Sequence, residues 1–220
     1  MKRLVMVFAG VLALAGTATA TPFVNFTSGS TVAGGSVAYA GSANPLVGSN
    51  ISISLVTSLN TPLNPGLAQT IAGGVLDFTT GAYQSYANGS YTFSSGGTFT
   101  IVGAIPAAGI GKSVLLSGTF GSISFQETGE LHGMMFGGPA TLNAALLDHF
   151  GLQPWSLFDV TAFQLSLSHS SGLGGAFTGL PLATDVAMIA TPEPGSLALL
   201  GSGLLGLAGL LRRRSKSART

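Results

Sequence analysis

Between residues 21 and 190, Gly, Asn-Pro and Asn-Gly recur about every eight to fifteen positions. Such punctuation leaves room for short strands and excludes long helices from most of the stretch. The runs between the punctuation alternate with period two. Ile51, Ile53 and Leu55 alternate with Ser52 and Ser54, and Phe163, Leu165 and Leu167 with Gln164, Ser166 and Ser168. Each reads as a strand with one buried face. Tyr91, Phe93, Phe99 and Ile101 flank Ser95-Gly96-Gly97, which predicts a hairpin with its aromatics on one face. Val114 to Phe120 and Ser122 to Phe125 predict a second pair joined near Gly121, and Val186 to Ile189 a last strand. The expected fold class is mainly β, a sandwich or irregular barrel of short antiparallel strands. One helix breaks the pattern. Thr141 reads as its cap, Leu142 to Phe150 as its body and Gly151 as its stop. Leu142, Ala145, Leu146 and His149 would share one face, and the helix would cover one end of the fold.

Charge is distributed unevenly. Lys112 is the single basic residue between 21 and 190, against Asp77, Glu127, Glu130, Asp148, Asp159 and Asp185, so this stretch carries a net −5. The other basic residues lie at the two ends, and the whole-chain charge of +1 describes those ends. A basic nucleic-acid face is therefore excluded from the middle. With no cysteine there is no disulfide framework and no thiolate metal site. The 26 glycines and 38 serines and threonines between 21 and 190 make a surface that is hydrated but weakly repulsive between copies, which suits a protein embedded in a matrix.

The two ends read as addresses. Lys2 and Arg3 precede the apolar run Leu4 to Ala15, and Ala18-Thr19-Ala20 follows with the small-x-small pattern of a signal-peptide cleavage site. Residues 1–20 are expected to be a signal peptide, with Thr21 as the mature start. At the other end, Pro192-Glu193-Pro194 is a stiff, helix-excluding segment. Gly195 to Leu211 follows without a charge, and Arg212, Arg213 and Arg214 end it. As a helix, its seventeen residues span about 25 Å, and arginine snorkelling covers the remainder of a roughly 30 Å hydrocarbon core. The arginines act as a membrane stop and keep residues 215–220 cytoplasmic by the positive-inside rule.

The tripeptide, the Leu-, Gly- and Ala-rich stretch and the arginine cluster together resemble the PEP-CTERM sorting signal over residues 191–214. The resemblance implies export and a transient tether in the inner membrane. It also implies processing by an exosortase, a membrane protease-transpeptidase, and delivery to the cell surface or extracellular matrix.

Chemistry is sparse. Gly201-Ser202-Gly203-Leu204-Leu205-Gly206 spells G-x-G-x-x-G, but it lies inside the apolar stretch with no strand before it, so a dinucleotide reading fails. No G-x-S-x-G nucleophile elbow occurs. His132, His149 and His169 are not at metal-ligand spacing, although Glu130 and His132 would share a strand face. Trp155, Tyr83, Tyr86 and Tyr91 are candidates for a sugar-stacking platform, or else rings that pin a hairpin to the core. The sequence therefore predicts a non-enzymatic exported surface or matrix protein associated with exopolysaccharide or biofilm. Neither cofactor nor metal is expected. The alternative is a secreted carbohydrate-binding or carbohydrate-cleaving domain with the same address.

Overall fold

Alternating apolar and hydroxyl side chains put most of the middle of the chain into strands, and their register arranges them. The computed structural model describes residues 21–29, 34–128, 130–135, 137–154, 156–169 and 175–191. Ala18, Ala20, Trp155, Pro192, Glu193, Pro194 and the stop residues Arg212, Arg213 and Arg214 lie outside the described residues, as do the expected signal peptide and apolar tail. The strands are β1 (Phe23–Thr27), β2 (Ser36–Tyr39), β3 (Pro45–Ser52), β4 (Leu55–Leu59), β5 (Gln69–Thr70), β6 (Ala72–Ala87) and β7 (Ser90–Phe93). They continue with β8 (Gly97–Ile105), β9 (Ile110–Thr119), β10 (Ile123–Thr128), β11 (Glu130–Met135), β12 (Pro139–Leu142), β13 (Phe158–His169) and β14 (Phe177–Ala190). One short helix, α1 (Ala144–His149), precedes β13.

The pairings reduce these strands to eight bent staves. β1 and β2 lie end to end along β14, β3 and β4 along β2 and β1, and β7 and β8 along β6. β9 and β10 run along β8 and β7, and β11 and β12 along β10 and β9. The staves β1–β2, β3–β4, β5–β6, β7–β8, β9–β10, β11–β12, β13 and β14 each pair antiparallel with the next in the chain. β14 then pairs with β13 on one side and with β1 and β2 on the other, closing the sheet into an up-and-down barrel. Closure satisfies the backbone groups that an open sheet would leave along its edges.

Three local expectations are corrected by these pairings. Tyr91 to Ile101 is not a hairpin. β7 and β8 are two lengths of one stave, bent where Ser94 N–H donates to the Ala82 carbonyl (2.9 Å) and Gly96 N–H to Phe120 (3.0 Å). The hairpin lies one turn earlier, where Asn88 (φ 52°) and Gly89 (φ 74°) join β6 to β7. This is the left-handed pair that a type I′ turn requires. Likewise, β9 and β10 do not pair across Gly121, which sits at a bend. The Ile51-Ile53-Leu55 alternation slips at a third bend, where Ile53 N–H donates to Gly74 and Ser54 N–H to Thr27. Beyond it Val56 takes the buried position, and Leu55 is only half-buried, because a shift of one residue exchanges the faces of a strand.

The helix is also shorter than expected. Its cap is Asn143, whose Oδ1 accepts the Ala145 N–H at 2.9 Å. Thr141 and Leu142 belong to β12, paired with Ser117 and Leu116 of β9. The buried face is Leu146, Leu147 and Phe150, while Ala145 is exposed and His149 half-buried. Gly151 stops the helix in the left-handed region (φ 69°), with Leu152 N–H closing back on the Leu147 carbonyl at 2.8 Å.

Side chains from opposite walls meet inside the barrel. Phe78 of β6 meets Phe163 of β13 edge to face at 5.5 Å, and Phe120 reaches both. Nearer the opposite end, Tyr39 contacts Tyr83, Tyr91, Phe93 and Phe177. Glycines face the largest rings. A Cβ on Gly48 would overlap Phe78, its cross-strand partner, and one on Gly118 would overlap Phe99. The walls thus pair a ring with a vacancy where bulk on both strands would not fit.

Gly48→Ala should therefore destabilise the barrel by about 1–3 kcal/mol through overpacking. Leu165→Ala, at a fully buried site, should cost about 2–5 kcal/mol by leaving a cavity. Denaturant melts should resolve both against Ser168→Ala, an exposed position that should change little.

Candidate functional site

An even number of staves returns a chain to the rim where it began. Thr21 and Thr191 accordingly lie at the same end of the barrel. Ala190 N–H donates to the Pro22 carbonyl at 2.9 Å, and Phe23 pairs with Ile189. Asn60 holds the Thr21 carbonyl at 3.4 Å. Thr191 is fastened twice: its N–H donates to the Leu157 carbonyl (2.8 Å) and its hydroxyl to Asp159 Oδ2 (3.2 Å). The segment 60–68 and α1 share this rim and are clamped together. Leu63 N–H donates to the Phe150 carbonyl at 3.0 Å and the Asn64 amide to the His149 carbonyl at 2.8 Å. His149 is thus a structural contact of the rim.

A second polar feature lies on the outer wall. A groove of about 180 Å³ is lined by Thr27, Ser28, Gly29, Gln164, Ser166, Ala183, Thr184 and Asp185. Asp185 pairs with Thr27 on one side and Gln164 on the other. Burial raises its carboxyl above the ordinary value of 3.8, and a hydrogen bond from Asn25 pulls the other way. Asn25 Oδ1 and Asp185 Oδ1 are both buried without a hydrogen-bond partner among the described residues. Sequence reasoning missed this pairing. Its one signal is an acid immediately before the unbroken apolar run Val186 to Ala190.

The remaining sequence candidates are dispersed. Glu130 and His132 take alternate positions on β11, and register sets His132 opposite Ser166 of β13. Asp77 Oδ1 accepts the N–H of Asn50, a left-handed residue, at 2.8 Å, and Asp159 holds Thr191. Tyr91 is fully buried, and Tyr83 and Tyr86 are partly buried against the core, within ring contact of Tyr91. These three rings pin the β6–β7 hairpin to the core.

No curated protein and no solved structure matches the chain. A family model matches residues 190–214, as the PEP-CTERM protein-sorting motif. The chain carries a PEP-CTERM sorting signal. The motif implies an exported protein that is tethered transiently in the membrane and handled by an exosortase. The match begins at Ala190, the last residue of the strand that closes the barrel. Among the described residues no helix is long and apolar enough to cross a membrane. Among the described side chains the barrel wall turns Ser, Thr and Gln outward and aromatic and aliphatic groups inward. That is the reverse of a membrane-spanning barrel.

Asp185 makes stability depend on pH. Because the folded carboxyl binds its proton more tightly than the unfolded one, its contribution is full below about pH 4 and is lost as pH rises through the folded value. Asp185→Asn should therefore raise the melting temperature at pH 7, with the gain shrinking toward zero near pH 3. A lower melting temperature at pH 7 would show that the carboxylate itself is required.

Proposed function

We propose that the protein is a non-catalytic barrel sorted to the cell surface or extracellular matrix and retained there with exopolysaccharide. In this reading residues 1–20 are a signal peptide removed before Thr21, 21–190 the delivered barrel, 191–214 the sorting segment with its membrane helix, and 215–220 a cytoplasmic tail. The observation that carries the reading is the junction. The sorting motif starts on the final residue of the closing strand, so whatever acts at Pro192-Glu193-Pro194 acts directly beside the barrel.

Other features support a structural role for the barrel. Rings from opposite walls occupy its interior, where ligand-carrying barrels hold their cargo. Asp77 and Asp159 are engaged by backbone and side-chain donors, and Asp185 by Asn25. The outer wall is rich in hydroxyls and amides, including Thr161, Gln164, Ser168 and Thr178, which are groups that hydrogen-bond to polysaccharide without needing charge.

Replacing Glu193 with Ala should leave the protein exported but tethered, with its C-terminal tail intact. Mass spectrometry of the secreted and membrane fractions reads this directly. It should also find Thr21 as the N-terminus in both. Unchanged processing of Glu193→Ala and of a scrambled tripeptide would reduce the segment to a plain anchor. Glycan turnover that disappears on mutating Glu127, Glu130 or Asp159 would make the protein an enzyme.

A further inference from the structure

The rim that holds both termini carries five of the eight exposed large hydrophobics among the described residues. Leu59, Leu63, Leu67, Leu157 and Ile189 are between 37% and 67% exposed there. Leu59, Phe23 and Ile189 form one cross-strand row, Leu157 accepts the Thr191 N–H, and Leu63 lies against Gly151. Among the described residues the exposed large hydrophobics toward the opposite end are Val47 and Leu180, on separate staves, and Val114 lies on β9. Pro22, Pro62 and Pro65 line an open groove beside the rim leucines.

Tether length decides what this rim faces. Thr191 is fastened to Leu157 and Asp159, and only residues 192–194 separate it from the uncharged apolar stretch that starts at Gly195. Fully extended, that interval spans at most about 14 Å. The apolar run Leu4 to Ala15 reaches Thr21, on the same rim, through five further residues. Both apolar segments therefore leave from one end of the barrel, and neither connection is long enough to turn the barrel over.

We infer that this rim is a bilayer-docking surface: while the sorting signal is tethered, Leu63, Leu157 and their neighbours rest in the lipid interface. The inference depends on the tether proposed above and adds an orientation to it. Asp148, Asp159, His149 and Lys112 share the rim, so its charge is mixed. Contact is made by apolar burial and needs no anionic lipid. Docking would hold Pro192-Glu193-Pro194 at the membrane surface, within reach of an enzyme embedded there.

The chain has no cysteine, so single-site labelling needs no background substitutions. The mature chain, residues 21–220, with Leu63→Cys, Leu157→Cys, Val47→Cys or Leu180→Cys, each carrying bimane, is reconstituted in phosphatidylcholine vesicles containing a lipid with a nitroxide near its headgroup. Quenching at 63 and 157 should exceed that at 47 and 180 by at least threefold and should persist in high salt. All four sites are exposed, and matching melting curves confirm the fold of each labelled chain. If the chain floats with the vesicles but the rim labels are quenched no more than the distal ones, the docking surface is refuted and the tether stands. If the chain does not float with the vesicles, the tether fails and the docking surface with it. Rim labels that become shielded only when an exosortase is added would reassign the surface to a protein partner.

Discussion

Everything in this structure depends on β14 having a partner on both sides. One side pairs with β13 along almost its whole length, and the other with β1 and β2 in turn. The pairings with β1 and β2 are the longest-range in the chain, and they convert a meander with two raw edges into a closed wall. Closure fixes three further properties together: the inside is enclosed, the termini share a rim, and the final strand cannot move without opening the barrel. The sorting motif begins on that strand.

The bends are the second organising feature. Six of the eight staves are built from two strands each, and their pairing is divided between the two. This brings opposite walls close enough for Phe78 to touch Phe163 and for Tyr39 to touch Tyr91. Aromatic rings then occupy the interior, and glycines at 48 and 118 receive them. A barrel filled in this way is a stable object to deliver, and its wall of hydroxyls and amides is what it presents to its surroundings.

Much of this was legible locally and much was not. The alternation of Phe163, Leu165 and Leu167 reports a buried strand face because period two is a property of the strand itself, and all three side chains are buried. The segments around Ser95-Gly96-Gly97 and Gly121 carry the same turn residues as hairpins, yet they are bends. Turn chemistry states that the chain changes direction but not which strand it meets next. Ser94 N–H and Gly96 N–H are satisfied by Ala82 and Phe120, one from an earlier stave and one from a later. The Asn25–Asp185 contact joins the first strand to the last, and no local pattern encodes such a pair.

By itself the sequence determined the strand-rich class, buried positions such as Phe163, Leu165 and Leu167, and the sorting signal, read at 191–214 and matched at 190–214. Each of these is written in side chains that are neighbours along the chain. Only the tertiary structure decided that the staves close into a barrel and that rings fill it. It also decided that Leu59, Leu63, Leu157 and Ile189 gather beside the point where the sorting signal departs. The physical reason is the range of the deciding contacts. Closure, filling and the shared rim arise from hydrogen bonds and ring contacts between residues far apart in sequence, which exist only once the first and last strands have met.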